Sequence, residues 1–408
     1  MQQEQLFSMA LGLSTPWFVE RVDFQSTQAN TVSELHIHLA YKRPHKFMAD
    51  SEHQGVYDHI EKSWKHLNFF QHQCYLHADV PRVKNVDGKV SMIDVPWARP
   101  GSGFTLLFEA FSLVLMQSGL SMTAAGKLVG EDGKLLCRIL RHYVGKALSE
   151  QPLEQVEKLG IDETSIAKGH HYITVATDME RKKVVGLATG KDGFAFAASL
   201  GEMLERGGSQ LEDIKAVAMD MSQAYTSAAL EFLPDAEIVY DRFHLEAVLS
   251  KAVDEVRKIE NQHTTELRKT KYIWLRNKSS LKQEESQKIH YLSEAFPALG
   301  EAYRLKEQFK EIWKNTTLQD AKEAFEQWIQ LAWESEIIPI RNAVNTFKSH
   351  RTGILNYFEH KLTSGFAERV NLSIQEIKRT AKGFKNIENF KAMIYLKLGK
   401  LNFDTHSM

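Results

Sequence analysis

Apolar and polar residues alternate along residues 17–41, in runs such as Phe18-Val19-Glu20-Arg21-Val22 and Leu35-His36-Ile37-His38-Leu39. A period of two marks half-buried strands, so the pattern predicts two strands joined by a polar turn from Ser26 to Asn30. Tyr57 to Val95 reads as further short strands, broken at Asn85-Val86-Asp87-Gly88, which is a turn signal. Residues 1–100 are therefore expected to form a small β-rich module. Beyond them the period lengthens to that of helices. Phe104 to Met116 reads as an apolar helix, Ser121 to Val129 as a shorter one capped by Ser121, and Lys134 to Leu148 as a third beyond the turn Gly130-Glu131-Asp132-Gly133. That spacing predicts a helix-turn-helix within residues 101–150.

From Leu159 the pattern returns to strands. Ile161 to Ile166, His171 to Asp178 and Lys183 to Thr189 are short apolar runs separated by turns at Lys168-Gly169 and Glu180-Arg181, which predicts an antiparallel meander. Phe194 to Arg206 reads as a crossover helix, Ile214 to Met219 as a nearly continuous apolar strand, Tyr225 to Phe232 as a helix and Glu237 to Tyr240 as a strand. Continuous apolar strands reached through helices belong to a buried, parallel part of a sheet. The predicted class is α/β, with a mixed sheet of the ribonuclease-H-like kind. Its first part spans 151–248, a helical insertion spans 249–360, and its last part spans 361–408. Within the insertion, Trp274, Trp313, Trp328 and Trp333 stand at spacings suited to helix packing, so they read as core aromatics before base-stacking ones. After Thr363-Ser364-Gly365, the apolar residues Phe366, Val370, Ile374 and Ile377 form one helical stripe, while Glu368, Asn371, Gln375, Lys378 and Lys382 form a polar one.

Composition adds milder limits. With 408 residues, 43% of them hydrophobic, the chain can fill the cores of two or three domains. No apolar run long enough to span a membrane appears, and no basic-plus-apolar signal pattern opens the chain, so a cytoplasmic protein is expected. Cys74 and Cys137 are too few for a disulfide framework and fit a reducing compartment. The 51 Lys and Arg balance 52 Asp and Glu overall. Residues 339–402 nevertheless carry twelve Lys and Arg against four Glu, a net of +8 that suits a surface facing phosphates. Lys134, Arg138, Arg141 and Lys146 on the third helix of the helix-turn-helix could reach phosphates or guanine edges in a major groove.

Three well-separated segments place acids at the edge of an element: Gly160-Ile161-Asp162-Glu163-Thr164, Val217-Ala218-Met219-Asp220 and Thr363-Ser364-Gly365-Phe366-Ala367-Glu368. Three such carboxylates are what a pair of Mg²⁺ ions needs to clamp the attacking and leaving oxygens of a phosphodiester. Glu163 adjoins Asp162 but points to the other face of its strand. Asp241, beside Arg242 and His244, competes with Asp220, because it too follows an apolar strand. Its pairing with Arg242 reads equally well as a structural ion pair at a strand end.

The words around these acids resemble those of insertion-sequence transposases of the ISL-three family. The resemblance rests on Val95-Pro96-Trp97-Ala98-Arg99 with Gly101-Ser102-Gly103-Phe104-Thr105, Met219-Asp220-Met221-Ser222, Asp241-Arg242-Phe243-His244, and the run through Glu368, Asn371, Ile377-Lys378-Arg379 and Gly383-Phe384. Their order over most of the chain carries the specificity. The resemblance implies a bacterial DDE-type DNA transposase with Asp162, Asp220 and Glu368 as catalytic and metal-holding acids. It also implies Mg²⁺ as cofactor, replaceable by Mn²⁺, and double-stranded DNA as partner, both terminal inverted repeats and target. Arg242, His244, Asn371, Lys378, Arg379 and Lys382 join Lys134, Arg138 and Arg141 as expected DNA contacts. A homo-oligomer on DNA and a place at the nucleoid are expected with them. Related chains carry a zinc ribbon in the first module. Here the corresponding stretches, 47–53 and 84–88, hold no cysteine, so no zinc is expected. A catalytically inactive, repurposed DNA-binding protein and a nuclease that cuts without joining are the competing readings.

Overall fold

The computed structural model describes residues 3–26, 33–49, 52–167, 169, 171–363 and 365–403. The chain divides into two compact units, one drawn from Met1–Ala147, Arg379–Lys397 and Leu401–Met408, the other from Leu148–Lys378 and Leu398–Lys400.

The first unit opens with a sheet. β1 (Trp17–Ser26) pairs antiparallel with β2 (Ser33–Tyr41), as the alternation predicts, while their predicted turn lies outside the described residues beyond Ser26. A short pair follows, β3 (Phe47–Ala49) with β4 (Glu52–Gln54), and then β5 (Val56–Phe69), β6 (His72–Lys84) and β7 (Val90–Met92). β6 lies parallel to β2 and antiparallel to β5 and β7. Where short strands were expected, β5 and β6 are long. Charged residues on their open face interrupt the apolar runs without interrupting the ladder. Leu35, Ile37 and Leu39 on β2 meet the side of Cys74, Leu76 and Ala78 on β6, and all six are buried. The turn at Asn85–Gly88 is present, with Gly88 in the left-handed region. Three histidines of this module enter ordinary hydrogen bonds: Nδ1 of His66 lies 2.8 Å from Oγ1 of Thr105, and His77 bonds His36 and Ser63.

Three helices complete the amino-terminal part: Leu106–Gln117, Met122–Val129 and Gly133–Glu150. Thr105 caps the first by accepting from the Phe108 amide, and Ser121 caps the second by accepting from the Ala124 amide, as its position in the sequence predicts. Gly130 ends the second helix in the left-handed conformation. Gly126 is needed where the chain doubles back, since a Cβ there would stand 2.5 Å from the Glu131 carbonyl oxygen.

The second unit is built on a five-stranded sheet of β8 (Lys158–Ala167), β9 (His171–Asp178), β10 (Lys183–Thr189), β11 (Ala216–Met219) and β12 (Glu237–Tyr240), in the order β10-β9-β8-β11-β12. β8, β9 and β10 form the predicted antiparallel meander, and β11 runs parallel to both β8 and β12. Of the two predicted meander turns, Lys168 lies outside the described residues. Helix Gly193–Glu205, capped by Asp192, and helix Gln223–Phe232 make the crossovers. Helices then fill residues 242–360, and their apolar faces share one continuous core with the sheet. Trp274, Trp313 and Trp328 are buried there. Trp333 is instead 40% exposed, with the cations of Arg341 and Lys348 over its ring at 5.1 and 4.8 Å. Among the described residues, no helix is long and apolar enough to cross a membrane.

Candidate active site

β8 runs at the middle of the sheet and β11 lies parallel beside it, so their acids converge. Asp162 on β8 and Asp220 immediately after β11 line one small pocket together with Asp241, His244, Leu362 and Ala367. Oδ1 of Asp162 accepts from the Glu163 amide at 2.8 Å, and Oδ1 of Asp220 accepts from the Ser222 amide at 2.9 Å. Burial pushes the Asp162 carboxyl up, and the charges of Asp241 and Asp220 push the same way. Glu163, on the other face of β8, is raised to about 7 by burial first and then by Asp220 and Asp162. Both neighbouring acids thus feel Asp220, which period-two reasoning about faces does not reveal.

Asp241 is committed at both oxygens. Oδ1 caps helix Arg242–Glu260 by accepting from the Phe243 amide, and Oδ2 stands 2.8 Å from Nδ1 of His244. That hydrogen bond is the main cause of a His244 pKa near 8, and the charges of Asp241, Asp220 and Asp162 add to it. The His244 imidazole, which lines the same pocket as the acids, is thereby biased toward its protonated form. Arg242 bonds Glu246 at 2.7 Å and lies 5.6 Å over the ring of Trp313, so of the two readings of Asp241 beside Arg242 the structural ion pair is not the one formed.

The third acid rides on helix Gly365–Thr380. Val370, Ile374 and Ile377 are buried along it, and Phe366 is half-buried. Its polar stripe is stitched to β8: Nδ2 of Asn371 donates to Oδ2 of Asp162 at 2.7 Å, Nε2 of Gln375 to Oγ1 of Thr164 at 2.7 Å, and Nζ of Lys378 to the Ser165 carbonyl at 3.3 Å. Glu368 is exposed and adjoins Ala367 without lining the pocket itself. One expectation is corrected. Lys382 is not on this stripe, because the helix ends at Thr380 and the chain turns through left-handed Lys382 and Gly383.

The donor set can be tested against a divalent cation. Hard cations take carboxylate and amide oxygens. Asp162 and Asp220 supply the former, and Oδ1 of Asn371 is a buried amide oxygen with no hydrogen-bond partner. These residues fit such an ion. Among the described residues, however, the one group of three His, Cys, Asp or Glu side chains with ligand atoms all within 4.8 Å of one another is Glu237, Glu359 and His360, around the beginning of β12, which sequence reasoning did not single out.

Of the expected DNA contacts elsewhere, Lys134, Arg138 and Arg141 lie exposed on helix Gly133–Glu150, and Arg379 is exposed as well. The words around Arg99 serve the packing of these helices. Trp97 packs edge-on against Trp17 and Trp64. Glu109, fully buried, accepts from Nε of Arg99 at 2.9 Å, Oγ of Ser102 at 2.7 Å and the Tyr143 hydroxyl at 2.8 Å.

Comparison with known proteins identifies the family. A family model described as transposase matches residues 159–394, and a second, described as the helix-turn-helix domain of transposase family ISL3, matches residues 93–144. The first spans more than half of the chain, which therefore belongs to this transposase family. Among individual relatives, the transposase for insertion sequence element IS1001 of Bordetella parapertussis is 29% identical over 252 residues, covering 60% of this chain and 61% of that protein. The chain thus spans less than two thirds of that relative's length. The transposase for insertion sequence element IS1557 of Mycobacterium tuberculosis is 24% identical over 439 aligned positions, covering 98% of this chain and 96% of that protein.

Proposed function

We propose that the chain is a DDE-type transposase that binds the ends of its insertion sequence and catalyses DNA cleavage and strand transfer, with Asp162, Asp220 and Glu368 as its acids. The observation that carries this reading is the convergence of Asp162 and Asp220 on one pocket inside the segment that matches the transposase family. The sheet supports it, since three antiparallel strands followed by two parallel ones is the ribonuclease-H-like arrangement. The three helices of residues 106–150 are read as the helix-turn-helix, with the exposed Lys134, Arg138 and Arg141 toward DNA. Residues 1–100 form the β-rich module, 151–248 and 361–408 the catalytic part, and 249–360 the insertion.

When bound, a pair of Mg²⁺ or Mn²⁺ ions supplies the activation of water and neutralises charge on the phosphodiester. Asp162 and Asp220 would hold the ions from the sheet, with Glu368 of helix Gly365–Thr380 as the third acid. Asp241 holds the His244 imidazole beside the acids, and its protonated form reduces their mutual repulsion. Arg242, His244, Lys378, Arg379 and Lys382 are proposed to contact DNA. Both ends of the element must be held together for strand transfer, so a homo-oligomer on DNA is part of the proposal, as is a cytoplasmic place at the nucleoid. The second reading, a repurposed DNA-binding protein without catalysis, draws on the position of Glu368 outside the pocket lining.

The test incubates the protein with DNA carrying the flanking ends of its gene, with Mg²⁺ or Mn²⁺, for wild type and the Asp162→Ala, Asp220→Ala, Asp241→Ala and Glu368→Ala variants. Metal-dependent end cleavage, lost in the Asp162, Asp220 and Glu368 variants and kept in the Asp241 variant, is the expected result. Binding without cleavage by wild type in either metal favours the second reading.

A further inference from the structure

Beside Asp162, Oδ1 of Asn371 is shut off from solvent without a partner. The geometry around it leaves little choice. An ionised carboxylate only accepts, so the amide must present its NH₂ to Asp162, which turns its oxygen the other way. Nor can the side chain easily withdraw to water, because Gln375 one turn later holds the same helix to Thr164 and Ser165 at 2.7 and 2.8 Å. The result is a fixed amide oxygen next to a half-buried carboxylate, and amide oxygens are ordinary ligands of hard divalent cations. Both oxygens of Asp162 accept one hydrogen bond each, from the Glu163 amide and from Asn371, and each retains a lone pair. Asn371 lies three residues after Glu368, hence on the same side of the helix.

We infer that Asn371 belongs to the metal site: Nδ2 positions Asp162, and Oδ1 is a ligand of the divalent cation that Asp162 holds. This rests on the proposed two-metal reading of the pocket. The DNA contact expected for Asn371 from its place on the polar stripe makes the opposite prediction, namely weaker DNA binding at unchanged metal affinity.

The experiment is a Mn²⁺ titration of the full-length protein without DNA, following the electron paramagnetic resonance signal of free Mn²⁺. Wild type is compared with Asn371→Ala, Asn371→Asp and Asp162→Ala, each checked by a thermal melt in chelator and by DNA binding in chelator. Asn371→Leu, close in shape, replaces the alanine variant if that fails to fold. Asn371→Ala should weaken Mn²⁺ binding about ten-fold or more, as loss of a group supporting a metal ligand does. Asn371→Asp, which keeps an oxygen but loses the donor that positions Asp162, should fall between wild type and Asn371→Ala, and DNA binding in chelator should be unchanged in Asn371→Ala. Asn371→Ala with wild-type Mn²⁺ affinity overturns the inference, and so does an aspartate variant as weak as the alanine one. If Asp162→Ala also leaves Mn²⁺ affinity unchanged, the metal-site reading beneath it fails instead.

Discussion

Nδ1 of His244 stands 2.8 Å from Oδ2 of Asp241, one helical turn earlier, and the pair shares a pocket with Asp162 and Asp220. Asp241 is thereby both helix cap and partner of the imidazole. An Asp241→Asn variant separates the two roles, because asparagine caps as well as aspartate. The His244 midpoint should fall from about 8 toward the ordinary 6.5 while the fold is retained. Because the folded pKa is raised, the stability this pair contributes is complete below pH 6.5 and is lost as pH rises through 8. Titration of the imidazole by NMR checks this, and a midpoint still near 8 would assign the shift to Asp220 and Asp162.

Glu163 provides a pH dependence of its own. Its carboxyl is raised from 4.5 to about 7, so its charged form is disfavoured in the folded protein. Relative to Glu163→Gln, the metal-free wild type should be equally stable below pH 4.5 and progressively less stable up to pH 7, with a constant deficit above. At ~1.4 kcal/mol per pKa unit, discounted for partial exposure, the deficit is roughly 1–3 kcal/mol. Urea unfolding of both proteins in chelator at pH 5 and pH 8 measures it. A difference that does not grow between those two pH values sinks the assignment.

Glu109 is a buried charge whose cationic partner is Arg99. Arg99→Met leaves that carboxylate desolvated with only hydroxyl donors, at a cost of about 3–5 kcal/mol. The double variant Arg99→Met with Glu109→Met should recover much of the loss, because an apolar pair replaces the ion pair. Chemical unfolding followed by tryptophan fluorescence is the readout, since Trp97 sits two residues from Arg99. A double variant as unstable as the single one contradicts the ion-pair assignment.

Lys134, Arg138 and Arg141 form an exposed basic face on one helix. Replacing Arg138 or Arg141 by alanine should weaken DNA binding and lower the slope of log affinity against log salt by about 1 for each phosphate that the variant no longer neutralises. Binding isotherms at several salt concentrations measure the slope. A slope unchanged in both variants would move the DNA surface elsewhere.

The meander and the parallel strands were legible because Ile161 to Ile166 and Ile214 to Met219 are apolar-rich runs bounded by turn residues. Asp220 follows from its strand, since a residue at a strand end inherits its place from the sheet, whereas Asp162, expected at the edge of an element, lies inside β8, which begins at Lys158. The lengths of β5 and β6 were not legible. Stretches such as Asp58-His59-Ile60-Glu61-Lys62 put charge on an open face, and local pattern does not record that β6 completes its ladder against β2, far away in sequence. The Asn371 bond to Asp162 was hidden for the same reason, as it joins residues 209 positions apart. The end of the acid-bearing helix was readable in principle, because Lys382-Gly383 is a left-handed stop that the polar stripe obscured.

The first compact unit takes in residues 1–147 and then 379–397, with the second unit synthesised in between. Its closing segment therefore leaves the ribosome only after Asp162, Asp220 and the helix that bears Glu368. A nascent chain cannot finish the unit that carries the basic helix early and wait for the rest. A ribosome that stalls before residue 365 therefore releases a product that lacks the closing segment of the first unit and, from the second, the helix that bears Glu368.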